Sequence, residues 1–221
     1  MNTDSRLRET LVAQLSFWVG RSANNIQVVV NDGIVTLRGR LPGYEQKIFS
    51  VETAQRVAGV KAVTDELVVE LKEARKRTDP EIAASARNAI GWTTTVPSDS
   101  IKITARAGML TLEGTVENWS QKGAVERSVR HLPGIIAIAN LITIKPQPFQ
   151  RDVKAAIESS FKKHPRFDAR KIDVETTGSK VVLRGNTSSI AEREEAECAA
   201  RTVKGVSDVE NRIVIADSAT G

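Results

Sequence analysis

The side chains best suited to covalent or acid/base chemistry are few and scattered. The 221 residues hold one cysteine, Cys198, and two histidines, His131 and His164. A single thiol excludes an internal disulfide and a cysteine-rich zinc site. His131 falls on a helical segment and His164 in a loop elsewhere in the chain, and no spacing joins them into a metal or acid/base centre. Cys198 sits among Glu194, Glu195 and Glu197, whose charges disfavour a thiolate. Phosphate-loop, dinucleotide, nucleophile-elbow and zinc-protease motifs are missing. Carboxylates are plentiful, but no spacing pairs two of them as acid and base. The chain reads as a non-enzymatic protein with no cofactor and no metal.

Binding chemistry has more to work with. A basic residue recurs at Lys47, Lys122 and Arg193, each three positions after a large apolar or aromatic one, Tyr44, Trp119 and Ile190. A charged head on a flexible stem beside such an anchor suits an anionic membrane interface. The plainer reading is a helix-start residue packed on a sheet, with a solvated basic neighbour. The densest anion-attracting segment is Lys162-Lys163-His164-Pro165-Arg166-Phe167-Asp168-Ala169-Arg170-Lys171, with six basic residues around one phenylalanine. Near a charged surface each Lys or Arg contributes about 1 kcal/mol, so Lys162, Lys163, Arg166, Arg170 and Lys171 with Phe167 form a second candidate lipid site. A solvated loop is its alternative. Phe17, Trp18 and Trp92 close two helical segments and are assigned first to core or inter-unit packing, and second to membrane anchoring.

The elements that carry these residues come in three copies. Gly33-Ile34-Val35-Thr36-Leu37-Arg38-Gly39 returns as Gly108-Met109-Leu110-Thr111-Leu112-Glu113-Gly114 and, more loosely, as Ser179-Lys180-Val181-Val182-Leu183-Arg184-Gly185, at offsets of 75 and 71. Leu7, Leu11 and Leu15 match Ile82, Ala86 and Ile90, then Val153, Ile157 and Phe161, one helical turn apart, which makes an opening amphipathic helix. Asp79-Pro80-Glu81 supplies start signals for the second copy. Alternation at Ile26, Val28, Val30 and at Val35, Leu37 marks two half-buried strands, with Asn31-Asp32-Gly33 as the hairpin turn between them. A second helix buries Ser50, Thr53, Ala54 and Val57 and their equivalents, and Gly59, Gly134 and Gly205 fit the C′ position that ends it. Leu67 and Val69, with their counterparts, form a third strand.

Each unit is therefore α-β-β-α-β, and the fold class is α+β: three tandem units, each a three-stranded mixed sheet with two helices on one face. The expected domains are 1–72, 76–146 and 149–217. About 70 residues bury a core with a modest margin. The joints 72–78 and 145–149 are short, the second stiffened by Pro146 and Pro148, so neighbours should touch or move little. Composition agrees with a globular chain: 40% hydrophobic and 27% charged, with no apolar run near the length of a spanning helix. The net charge is +5, spread as +1, +3 and +1 over residues 1–75, 76–146 and 147–221, which lacks the dense basic excess of a dedicated nucleic-acid binder.

This pattern resembles the BON domain family (bacterial OsmY and nodulation). The carrying residues are Asn31 to Gly39, Ala58-Gly59-Val60-Lys61-Ala62-Val63, and their counterparts Ala107 to Gly114, Pro133-Gly134-Ile135, Val181 to Gly185 and Lys204 to Val209. Unit 3 departs at its turn, Thr177-Gly178-Ser179. The resemblance spans nearly the whole chain, which is similar to bacterial triple-BON proteins without an export signal. It implies a non-enzymatic module tied to envelope or phospholipid binding and to osmotic or general stress. The N-terminal residues carry no export pattern. The expected location is cytoplasmic, peripheral to the inner membrane, or periplasmic if a signal peptide has been removed.

The leading expectation is a binding protein for anionic phospholipid or an envelope partner. A sensor of potassium or ionic strength, tightening its units as ions bind, is the alternative. Nucleic-acid binding fits poorly, since the chain has no Gly-x-x-Gly loop, no RNA-recognition strand signature and nine aromatics in all.

Overall fold

The computed structural model describes residues 3–93, 100–145, 153–162 and 169–216, apart from the side chains of Trp18, Arg21 and Ala169. Unit 1 runs α1 (Thr3–Val19), β1 (Ile26–Asn31), β2 (Ile34–Leu41), α2 (Tyr44–Gln55) and β3 (Ala62–Val69). Unit 2 runs α3 (Asp79–Gly91), β4 (Ile101–Arg106), β5 (Met109–Val116), α4 (Trp119–Val129) and β6 (Ala137–Ile144). Unit 3 runs α5 (Val153–Lys162), β7 (Ile172–Thr177), β8 (Lys180–Thr187), α6 (Ile190–Arg201) and β9 (Asp208–Ile215). The three-unit α+β architecture expected from the repeats is the one observed.

In every unit the second strand is central. It pairs antiparallel with the first across the hairpin, and parallel with the third, which returns through the second helix. Alternation along the central strand sends Val35 and Leu37 inward to full burial, as it does Leu110 and Leu112, and Val181 and Leu183. Leu7, Leu11 and Leu15 of α1 meet them from above with Ala54 of α2, and the same set recurs in units 2 and 3. Both helices therefore cover one face of each sheet.

Two local devices fix the hairpin. Asp32 and Gly33 both have positive φ, 49° and 80°, and Ala107 and Gly108 repeat this at 49° and 77°, the backbone of a type I′ turn. The first helix clamps that turn: Asp4 accepts the amides of Asp32 (2.9 Å) and Gly33 (3.2 Å), and Asp79 those of Ala107 (2.8 Å) and Gly108 (3.0 Å). Unit 3 moves its glycine one place back, to Gly178 at φ 61°, the first central position preferred in type II′ turns. The glycine that ends the repeated motif serves a different purpose. A Cβ on Gly39, Gly114 or Gly185 would lie 1.9–2.0 Å from the carbonyl oxygen of Asn25, Ser100 or Lys171. The chain entering each sheet passes directly over that glycine.

One expectation is corrected. Gly59 and its counterparts do not sit at C′ of the second helix: α2 ends at Gln55 with Arg56 as its cap. Gly59, Gly134 and Gly205 lie farther on, in the turn before the third strand, at φ 90°, 91° and 98°.

Candidate binding surface and unit junctions

The first residues of the second helices do not pack on their own sheets alone. Tyr44 lies half-buried against the unit 2 core, and Ile190, 3% exposed, is part of the unit 1 core although it belongs to unit 3. Trp119 leans on its own unit and takes Arg201 of unit 3 over its ring, at 4.1 Å from guanidinium carbon to ring centroid. One repeat position thus reaches the next unit three times: 1 to 2, 2 to 3, and 3 back to 1. The arginines facing it also correspond. Arg130 caps α4 near Tyr44, as Arg201 ends α6 above Trp119. Arg130 further pairs with Glu52 of α2 at 3.6 Å. Burial holds the Tyr44 phenol above its ordinary range, with Glu126 adding to the effect and the Ile138 amide opposing it.

Two of the three recurring basic residues turn inward. Lys47 Nζ donates to the Leu67 carbonyl at 2.7 Å and pairs with Asp65 at 3.0 Å. Lys122 Nζ donates to the equivalent carbonyl, Ile142, also at 2.7 Å, and lies 5.4 Å from the Trp119 ring. Burial, then the charge of Arg201, holds the Lys122 ammonium below its usual pKa, against a smaller pull from Glu126. Arg193 is half-buried on α6, where its carbonyl accepts Asn211 at 3.1 Å.

Sequence reasoning missed the partners that order this region. Asp65, Asn140 and Asn211 share one repeat position on the third strand, and each accepts the amide two residues on, at 3.0–3.3 Å. Asn140 and Asn211 also donate to Glu126 (2.9 Å) and Glu197 (3.0 Å) on their second helices. Recurrence of a short polar side chain inside an alternating strand was the available signal.

The aromatic residues ending the first helices are exposed, and this corrects their assignment to core or inter-unit packing. Phe17 is 78% and Trp92 86% exposed, at the same repeat position in units 1 and 2. The reason is legible in the helix period. Buried positions step by four, from 7 to 11 to 15 and from 82 to 86 to 90, and a further step of two crosses to the opposite face. The side chain of Trp18 lies outside the described ones. In unit 3 the same helix end carries Lys162, exposed, with exposed Arg170 and Lys171 on the short helical turn Ala169–Lys171 just before β7. Lys163, Arg166 and Phe167 lie outside the described residues, as does His164. His131 is exposed one residue past the α4 cap. Cys198 is an exposed free thiol.

A family model for the BON domain fits residues 3–70, 78–146 and 150–217, once over each repeat. The chain belongs to the BON domain family. A search of the curated proteins finds no match. Among solved structures, the chain is similar to the C-terminal domain of CdsD, a structural protein of the type III secretion system of Chlamydia trachomatis. That match has 15% identity, covers 93% of this chain and 97% of that one, and has a TM-score of 0.26. A second structure of CdsD matches at 12% identity over 95% and 93%, with a TM-score of 0.27. The PrgH periplasmic domain matches at 10% identity over 87% and 96%, with a TM-score of 0.20. BON units are binding-type domains, and no helix among the described residues is long and apolar enough to cross a membrane.

Proposed function

We propose that this triple-BON protein is a non-enzymatic module that attaches reversibly to anionic phospholipid surfaces through the ends of its three first helices. The exposure of Phe17 and Trp92 at one repeat position carries the reading. An indole or phenyl ring left in water at a helix end gains free energy by entering the headgroup region. The basic residues of unit 3, Lys162, Arg170 and Lys171 with Lys163 and Arg166, supply the attraction that a single aromatic lacks. The junctions support simultaneous contact. The contacts run from unit 1 to 2, 2 to 3 and 3 to 1, a closed head-to-tail cycle that supports presenting the helix ends to one surface. Osmotic or general stress, when membrane composition and ionic strength shift, is the setting we assign to it.

Flotation with vesicles containing phosphatidylglycerol, and with phosphatidylcholine vesicles, at low and high salt tests the reading. The expected result is attachment to anionic vesicles only, lost in high salt and weakened by Trp92→Ser or by Lys162→Glu. Absence of flotation under every condition would refute it. A potassium or ionic-strength sensor is the second reading; the partly exposed Arg130–Glu52 pair makes one junction salt-dependent, with loosening rather than the expected tightening as the sign that screening gives. Scattering in rising KCl without lipid separates the two, since a sensor changes its radius of gyration and a membrane module does not.

A further inference from the structure

The three junctions are not equally filled. Tyr44 and Ile190 seat in the neighbouring core, whereas Trp119 does not enter the core of unit 3. Between α4 and α6 there is instead a cleft of about 990 Å³, walled by Trp119 and Lys122 on one side and by Arg201, Val203 and Val206 on the other. Among the described residues, three buried side-chain polar atoms have no hydrogen-bond partner, and two belong to this wall: Trp119 Nε1 and Arg201 Nε. Both are groups that only donate. Four acids line the cleft, Glu117, Glu126, Glu194 and Glu197, beside Lys122, Arg127, Arg201 and Lys204. Glu117 pairs with Lys145, Glu126 with Asn140, and Glu197 with Asn211 and the Arg201 guanidinium. Burial tilts Glu194 toward its neutral form, and none of the four accepts from Trp119 Nε1 or Arg201 Nε.

We infer that this cleft binds a metabolite-sized organic carboxylate, whose oxygens take the Trp119 and Arg201 N–H groups. Glu197 holds one Nη of the Arg201 guanidinium, which leaves Nε to a further acceptor, and ionised acceptors make the stronger hydrogen bonds. The volume far exceeds an inorganic oxyanion, and the apolar walls at Val203 and Val206 take a carbon skeleton. Burial first, and Arg201 second, hold the Lys122 ammonium below its usual pKa beside this cleft, whose lining sets four basic side chains against four acidic ones. Both free nitrogens are sealed from water as the junction stands. An acceptor reaches them by lifting Arg201 from the indole, so binding perturbs Trp119 directly.

Trp18→Phe and Trp92→Phe in the full chain leave Trp119 as the sole tryptophan. Its emission and its indole N–H resonance are followed against hexanoate and glutarate, with chloride and inorganic phosphate as controls at constant ionic strength. The expected result is a saturable change with a carboxylate, weakened about tenfold or more in Arg201→Lys, which keeps the charge but loses the Nε donor. Calorimetry on Trp119→Phe, which keeps a ring but not the N–H, is expected to show the same direction of loss. A flat response to both carboxylates through the millimolar range overturns the inference. So does an equal response to phosphate, or an unchanged affinity in a folded Arg201→Lys variant. None of these outcomes bears on the first-helix ends, so lipid attachment stands or falls separately.

Discussion

At Gly39, Gly114 and Gly185 the repeated motif ends where two backbones cross, and no side chain fits. A Cβ there would sit inside van der Waals contact with a carbonyl oxygen, and φ of 130–148° is unfavourable for any L residue. Alanine at any one of the three is expected to cost about 3 kcal/mol or more, read from denaturant midpoints. An unchanged midpoint would mean that the entering chain moves aside freely. The turn clamp makes a pH prediction. Amides of Gly108 and Ala107 hold the Asp79 carboxyl below the usual carboxylate range. A lowered folded pKa means stability present above the unfolded value of about 3.9 and lost as pH falls through the folded one. Wild type should melt above Asp79→Asn near neutrality, and the gap should close in acid. A gap independent of pH would show that charge has no part in the clamp.

The second helices show how far local pattern carries. Apolar spacing was enough to place each helix and strand, because a buried face imposes its own period. Tyr44, Trp119 and Ile190 were visible as a recurring position, but not their destination, since the surface they cover belongs to another unit. The same gap hid the inward turn of Lys47 and Lys122, whose acceptors are strand carbonyls that no side-chain pattern records. Phe17 and Trp92 were readable from the helix period, yet aromatic character argued for burial. Glu194 marks where α6 departs from its siblings, which carry Ile48 and Gly123 at this position. Desolvation raises its carboxyl, opposed by Arg193 and Arg56 and helped by repulsion from Glu197 and Glu52. A raised folded value means that its contribution is complete below the unfolded pKa, about 4.3, and lost as pH rises through the folded one. Glu194→Gln is therefore expected to raise the melting temperature at pH 7 and leave it unchanged near pH 4. Equal effects at both would exclude ionisation as the cause.

Across the whole molecule, closure through Ile190 couples units that are far apart in sequence. Ile190→Ala removes a buried side chain from the unit 1 core cluster, and is expected to cost about 2–4 kcal/mol. Hydrogen exchange should speed up in residues 34–41 of unit 1 more than in unit 3 itself. Faster exchange confined to unit 3 would show that the units are energetically separate. The same contact has a consequence for biosynthesis. Unit 1 leaves the ribosome complete in sequence but with the place for Ile190 empty, and about 120 further residues must be made before that side chain exists. At 5–20 residues per second this lasts roughly 6–24 s, during which an apolar patch on the nascent chain faces water and whatever chaperone reaches it first.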